Sequence, residues 1–256
     1  MKSYIKSLIE NGQRVDGRKL TDVRDIVITN DVSTKAEGSA RVKWGDTEVI
    51  AGVKMSVGTP YGDSPDKGTL MVTSELLPMA NEAFSAGPPS IESIELARVI
   101  DRGIRESNMI DLKKLCIKEG EAVWTVFVDL YIINDAGNIL DAAALAAVSA
   151  LKDSLIPTLE EGNKVDYDTP TKNKLPLIED RIPLTSTVFK SGNKLFVDPV
   201  LEETSEVDAR VTIGISASGD INAMQKGGAG FFTIDEVNEA VKMAKVVTDS
   251  LRKILK

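Results

Sequence analysis

The sequence predicts an α+β fold built from two similar halves. A series of β-branched and aromatic segments followed by a helix-forming segment occurs twice, over residues 24–158 and 176–256. Between them, residues 159–175 are polar and rich in turn formers, with KVDYDTPTKNK at their centre, and read as a surface connection. With 256 residues, 42% of them hydrophobic, the chain can bury one large core or two fused ones.

Residues 1–23 read as a helix and an arm. Ile5, Leu8 and Ile9 share one side of a helix over 4–10, which Gly12 ends. Arg14 and Arg18 flank an Asp-Gly turn; they can hold an anion or pair with distant acids, and pairing is the simpler reading. The first half then runs as strands 26–29, 38–44, 48–57 and 69–77, with a hairpin at Gly45-Asp46 and a polar loop over 58–68. A helix over 88–107 follows, with Ser90 as its N-cap. Strands 115–117 and 122–133 resume the sheet. The second, AVWTVFVDLYII, is β-branched and aromatic throughout, which places it centrally and buries both its faces. Asp141 is positioned to cap a helix over 142–152. Its AAALAAVSAL run permits close approach by another element or another subunit, so the faces of ALAAV and the sheet edges are expected to be completed by a partner. In the second half, strands 182–190 and 194–197 meet at a hairpin. Strands 208–216 and 221–226 follow, and Thr233 caps a helix over 235–254.

The formal net charge is −8, whereas a protein that binds nucleic acid alone is usually basic. Nucleic acid is therefore either not a ligand or is touched by a small patch beside a partner. One cysteine, Cys116, rules out an internal disulfide and fits a reducing compartment. No histidine is present, which removes the commonest general base and zinc ligand. There is no secretory signal pattern and no apolar run long enough to span a membrane, so a soluble, cytoplasmic protein without membrane contact is expected.

The 88–107 helix carries the most informative pattern. Leu96, Ala97, Val99, Ile100, Gly103 and Ile104 form one broad apolar face. Arg98, Arg102 and Arg105 lie together on the opposite face. Guanidinium suits phosphate because its planar fork donates two hydrogen bonds and keeps its charge. Glu95, Asp101 and Glu106 are equally well spaced for ion pairs within the helix. Helical spacing alone leaves both readings open, a polyanion track or a solvated, salt-bridged face.

No phosphate-binding G-x-x-x-x-G-K-[ST] loop occurs, and no ligand spacing typical of a metal site. Cys116 lies in an apolar strand without a histidine to activate it. Asp135 and Asp141 bracket a strand-to-helix turn. Glu202, Glu203, Glu206 and Asp208 follow Asp198-Pro199 and could serve as acid–base groups, hold a divalent ion, or form a solvated loop.

Five separated motifs in order resemble the ribonuclease PH family: Arg14-Val-Asp-Gly-Arg18, GSARVKWGDTEVIAGV, PYGDSPDKG, ELARVIDRGIRES and VWTVFVDLYIINDAGNILDAAALAAVSAL. The resemblance runs from about residue 10 to the C-terminus and is nearest to the non-catalytic ribonuclease-PH-like ring subunit of archaeal exosomes. It implies two βαβ-type halves and a hexameric ring of three heterodimers with a catalytic sibling. RNA-binding cap subunits sit on one side of that ring. It also implies decay of single-stranded RNA from the 3′ end, with inorganic phosphate used at the sibling's site and no cofactor or metal in this chain. In active members a Ser/Thr-Arg pair after Asp-Ala-Gly holds the phosphate. Here Asn138 and Ile139 follow Asp135-Ala-Gly137, and isoleucine cannot hold a phosphate dianion. Of the family's two supporting aspartates, one matches Asp208 and the other falls near Glu202. The resemblance therefore implies no catalytic residue in this chain. It places Arg98 and Arg102, and less firmly Arg105, on the RNA backbone. An autonomous phosphate-dependent exoribonuclease is the alternative, and it would need a substitute for the missing arginine.

Overall fold

The computed structural model describes residues 2–169 and 171–255; Met1, Pro170 and Lys256, which belong to the arm, connection and second half expected above, lie outside them. In chain order the first half contains α1 (Lys2–Glu10), β1 (Ile26–Asn30), β2 (Gly38–Trp44), β3 (Thr47–Gly58), β4 (Thr69–Leu76), α2 (Ile91–Ser107), β5 (Cys116–Lys118), β6 (Ala122–Asn134) and α3 (Ile139–Asp153). Then come β7 (Thr158–Leu159), β8 (Val165–Asp166), β9 (Leu184–Ser191), β10 (Lys194–Val197), α4 (Leu201–Thr204), β11 (Ala209–Ile215), β12 (Ile221–Gly227) and α5 (Ile234–Ile254).

The first sheet has the order β1-β2-β3-β6-β4, with β5 paired to the start of β6. Only β4 and β6 are parallel, and α2 is the crossover that such a pair requires. The second sheet, β10-β9-β11-β12, is antiparallel throughout. The α+β class stands, and its parallel βαβ unit lies in the first half. The connection is less irregular than its composition suggests: β7 and β8 form a small antiparallel pair. Only the first part of β6, Ala122–Val126, is buried on both faces; from Phe127 the burial alternates, and Tyr131 is exposed.

The two sheets sandwich α3. It packs on β2 and β3 on one side and on β9 on the other, and every residue from Leu140 to Leu151 is buried. A helix buried all round must be apolar all round, and alanine lets both sheets approach closely. Gly38 in β2 shows how close: a methyl group there would run into Ser154 and the carbonyl of Ala150. The ALAAV segment is thus enclosed by this chain's own sheets, and the expectation that a partner completes it is corrected. Helix α2 lies on β4 and touches α3 and β12, while α5 covers the second sheet at β9 and β11. One continuous apolar core runs through both sheets and these helices. A small second cluster docks α1, with Ile5 and Ile9 against Phe189 and Phe196.

Local chemistry fixes the helix ends. Ser90 Oγ accepts the Ser93 amide at the start of α2. Thr233 and Glu236 form a capping box on α5. The start of α3 differs from the expectation. The helix begins three residues earlier, after Asn138 in a left-handed conformation, so Asp141 lies inside the first turn and is not the cap. Its carboxylate accepts the Thr187 amide at 2.9 Å and the Thr187 hydroxyl at 2.8 Å, joining α3 to β9. Burial pushes the Asp141 carboxyl up to about 7 against the bonds from Thr187, which favour the ionised form.

A raised acid pKa in the folded state means that the native chain binds more protons than the unfolded one between the two pKa values. Stability from this group is therefore present below the unfolded value of 3.8 and is lost as pH rises towards about 7. Denaturant titrations across that window should show the loss in the natural chain. In Asp141→Asn this component, roughly 2–4 kcal/mol, should be missing.

Candidate functional site

Along α2 the three arginines separate into two kinds. All are exposed. Arg105 is held by Asp101 at 2.7 Å and donates to the carbonyl of Leu70 at 3.0 Å. Glu95, which could have paired with Arg98 within the helix, instead reaches across to Arg210 of β11 at 2.8 Å. Among the described residues, Arg98 and Arg102 have no carboxylate within salt-bridge distance. Arg102 borders a narrow groove between α2 and β12, beside Met224 and Gln225. The salt-bridged reading of this face holds for Arg105 and fails for the other two.

The arm arginines are structural. Arg14 is buried and grips Glu203 through Nη2 at 2.5 Å and Nε at 2.8 Å. It also donates to the carbonyls of Val197 and Asp198, and its guanidinium stacks 5.1 Å from the Phe196 ring centroid. Arg18 reaches Asp16 at 2.6 Å and Asp198 at 2.8 Å. Sequence reading missed the centre of this network. Arg24 chelates Asp198 and donates to the carbonyls of Ala136 and Gly137 at 2.8 and 3.0 Å. No local pattern could announce a pair 174 residues apart.

The carboxylates after Asp198 go to separate partners. Glu203 is consumed by Arg14. Glu202 and Asp208 are exposed, and Asp208 accepts the Gly192 amide at 2.7 Å. Glu206 lies half-buried beside Ser205. This stretch also forms the short helix α4 where a loop was the alternative reading. Among the described residues, no three His, Cys, Asp or Glu side chains are placed to share a metal ion.

Ile139 opens onto a cleft of about 360 Å³ between the start of α2, the start of α3 and the second sheet. Its apolar wall includes Ile139, Leu201 and Val207, and its acidic groups are Glu92, Glu95 and Asp135. Asp135 is pinned by Asn81 Nδ2 at 2.8 Å and the Gly137 amide at 2.9 Å. Among the described residues Arg210 is the one cation in the wall, and Glu95 already occupies it. A phosphate dianion entering here would face three carboxylates and one neutralised guanidinium, so the cleft repels it.

Known proteins resemble this chain over nearly its whole length. The sequence model of domain 1 of the 3′ exoribonuclease family, RNase PH, matches residues 22–157, and that of domain 2 matches residues 181–247. The exosome complex component Rrp42 of Methanothermobacter thermautotrophicus is 50% identical over 94% of this chain and 88% of its own. The Methanosarcina acetivorans protein of the same name is 44% identical over 98% and 91%. Among solved structures, a chain of the Archaeoglobus fulgidus exosome with RNA bound to the active site superposes with a TM-score of 0.92 at 43% identity, covering 100% of this chain and 97% of that one. Rice Rrp46, at 18% identity and a TM-score of 0.67 over 95% of this chain and all of its own, shares the fold. No helix among the described residues is long and apolar enough to cross a membrane.

Removing one partner of a buried ion pair strands the other. Arg14→Ala should therefore cost about 3–5 kcal/mol in equilibrium unfolding. Arg98→Ala, at an exposed site with no paired carboxylate, should stay within about 0.5 kcal/mol of the natural chain.

Proposed function

The chain belongs to the 3′ exoribonuclease family, RNase PH, and from that premise we propose that it is the non-catalytic ring subunit of an exosome. The observation that carries this reading is the cleft at Ile139. Where a phosphorolytic site needs a guanidinium for the attacking phosphate, this chain presents an isoleucine among three carboxylates. Losing a charge-assisted contact of that kind removes several kcal/mol of transition-state stabilisation. The alternative, an autonomous exoribonuclease, needs another cation in the cleft, and Arg210 is taken by Glu95.

In this reading the subunit pairs with a catalytic ribonuclease-PH-like sibling, three such heterodimers close a hexameric ring, and RNA-binding subunits cap it. Inorganic phosphate is consumed at the sibling's site, single-stranded RNA is degraded from its 3′ end, and the complex works in the cytoplasm. This chain needs no cofactor of its own. Its contribution is to shape the sibling's site and to offer Arg98 and Arg102 to the RNA backbone. Arg105, already held by Asp101, adds less. Two unpaired guanidiniums on one helix face explain how a chain of net charge −8 can touch RNA: it supplies a small basic patch to a composite groove.

A phosphate-dependent decay assay separates the readings. This chain alone should release no nucleoside diphosphate from single-stranded RNA, while its mixture with the sibling should. Sustained turnover by partner-free protein would sink the non-catalytic assignment. In the mixed complex, Arg98→Glu with Arg102→Glu should leave assembly intact and weaken RNA binding about tenfold or more, irrespective of base sequence. The corresponding alanine changes should flatten the salt dependence of binding by about 0.7 per lost contact.

A further inference from the structure

Each of the two large sheets ends in two edge strands, and an edge presents unpaired backbone groups that invite another chain. On three of these edges the chain guards itself. On β4, Arg105 donates to the carbonyl of Leu70, and Ser93 Oγ donates to that of Ser74. On β10, the Val197 amide donates to the carbonyl of Leu20, and Arg14 donates to the carbonyl of Val197. On β12, the pairing with β11 shifts register between Gly214 and Ile215, and the strand carries Lys226; both features discourage a further strand.

The fourth edge, β1, is bare. Its ladder to β2 uses the odd-numbered residues: the carbonyl of Asp25 accepts the Gly45 amide, the Asp31 amide donates to the carbonyl of Ser39, and Val27 and Thr29 lie opposite Lys43 and Arg41 between them. The alternation of an antiparallel ladder therefore turns the N–H and C=O groups of Ile26, Ile28 and Asn30 outward. Among the described residues none of these groups has a hydrogen-bond partner. The strand itself, IVITN, is rich in β-branched residues, uncharged, free of proline and regular in register. Val27 is 58% exposed, and Ile26 and Ile28 pack on the core while remaining half-buried.

The flanks decide what can cover this edge. Asp25 and Asp31 stand at the two ends of β1, exposed and, among the described residues, without an ion-pair partner. The nearby cations are engaged: Arg24 holds Asp198 at 2.7 Å, and Arg41 and Lys43 both turn to Glu48, at 3.3 and 3.4 Å. A second copy of this chain fits badly. The two-fold register that joins every outward group sets Ile28 against Ile28 and Ile26 against Asn30. It thereby places Asp25 of each copy opposite Asp31 of the other, and like charges directly opposite are destabilising. A strand with a cation at each end meets both aspartates favourably.

We propose that the β1 edge is a docking surface for an extended segment of a different polypeptide, β-branched in its middle and with a lysine or arginine at each end. Backbone hydrogen bonds to Ile26, Ile28 and Asn30 hold the added strand, and Asp25 and Asp31 select its charge and register. The proposal rests on β1 and its flanks and stands whether or not the chain works in a ring.

The probe is the peptide acetyl-Lys-Val-Thr-Val-Thr-Val-Lys-amide, titrated calorimetrically into the full chain at about 0.15 M salt to suppress diffuse attraction. Saturable binding of one peptide per chain is expected, with slowed hydrogen exchange at the amides of Ile28 and Asn30. The peptide acetyl-Lys-Val-Thr-Pro-Thr-Val-Lys-amide keeps the charge but lacks the central donor, and should bind about tenfold more weakly or worse. Asp25→Asn with Asp31→Asn should weaken binding of the first peptide by a similar factor. So should Asn30→Pro, which removes an outward donor and leaves the ladder to β2 intact. Should Asn30→Pro fail to fold, the paired asparagine changes at exposed positions still test the edge. Glu161→Gln with Glu239→Gln removes the same charge from exposed positions elsewhere and should leave affinity within about twofold. Equal affinity for the two peptides, or equal losses in the edge and control variants, would overturn the proposal as diffuse attraction to an acidic chain. A peptide-free dimer whose Ile28 and Asn30 amides are already protected would overturn it in favour of a second copy. None of these results depends on RNA decay, so they leave the ring assignment to its own assay.

Discussion

The carboxylate of Asp198 is the point on which this molecule is assembled. It sits at the end of β10 in a left-handed conformation, almost fully buried, and receives Arg18, Arg24 and Asn138. Burial alone would raise its pKa, but the hydrogen bonds and charge of Arg24, with the charge of Arg18, outweigh that and hold it below the ordinary carboxylate range. Each partner comes from a different part of the chain. Arg18 brings the N-terminal arm, Arg24 brings the approach to β1, and Asn138 brings the start of α3. A charge so deeply placed is tolerable only because its acceptor sites are engaged, and removing any one donor would expose the cost of the rest. The same anchor fixes the backbone from Asp135 to Ile139, and with it the cleft.

The sandwiched α3 supplies the second constraint. Two sheets with one helix between them bury that helix on every side, so its sequence cannot be amphipathic. The AAALAAVSAL run announced deep burial but not by what. Its composition is the same whether the covering surface belongs to this chain or to another, and only the long-range pairing of β2, β3 and β9 settles the matter. Asp141 was misread for the same reason. An aspartate four residues after a glycine turn has the local pattern of a cap, and its true acceptor role depends on Thr187, which is 46 residues away. What the sequence made legible were features determined within a turn or two: the caps at Ser90 and Thr233, the Gly45-Asp46 hairpin, the apolar stripe of α2 and the helical position of its arginines. The fate of each arginine's charge was not among them, because Glu95 could bond within its helix or across to Arg210, and tertiary packing chose the second.

That choice gives α2 a division of labour along its length. Its N-terminal turns place Glu92 and Glu95 at the cleft, where Glu95 neutralises Arg210. Further along, Glu95 is withdrawn from Arg98, Asp101 is taken by Arg105 and Glu106 makes no ion pair with Arg102, so among the described residues Arg98 and Arg102 are left uncompensated and facing out. One helix thus carries an acidic end turned to the chain's own cleft and a basic middle offered outward. The net charge of −8 averages over both and conceals each.

The Asp-Ala-Gly turn before α3 is held by contacts within the chain itself. Arg24 holds the carbonyls of Ala136 and Gly137, and Thr47 Oγ1 donates to Gly137 O at 2.6 Å. Gly137 has a φ of 93°, and a side chain there would drive into the carbonyl of Pro199. Every one of these requirements is structural, and none refers to a bound phosphate. The turn is therefore demanded by the packing of one half against the other. Ile139, one residue past the Asn138 cap and half-buried, is under no such demand. On the proposed reading, exchange of a cation for an apolar side chain at that position removes the anion site and leaves the hydrogen bonds of the turn untouched. On the proposed reading, architecture and reaction are therefore separable in this fold at that single residue.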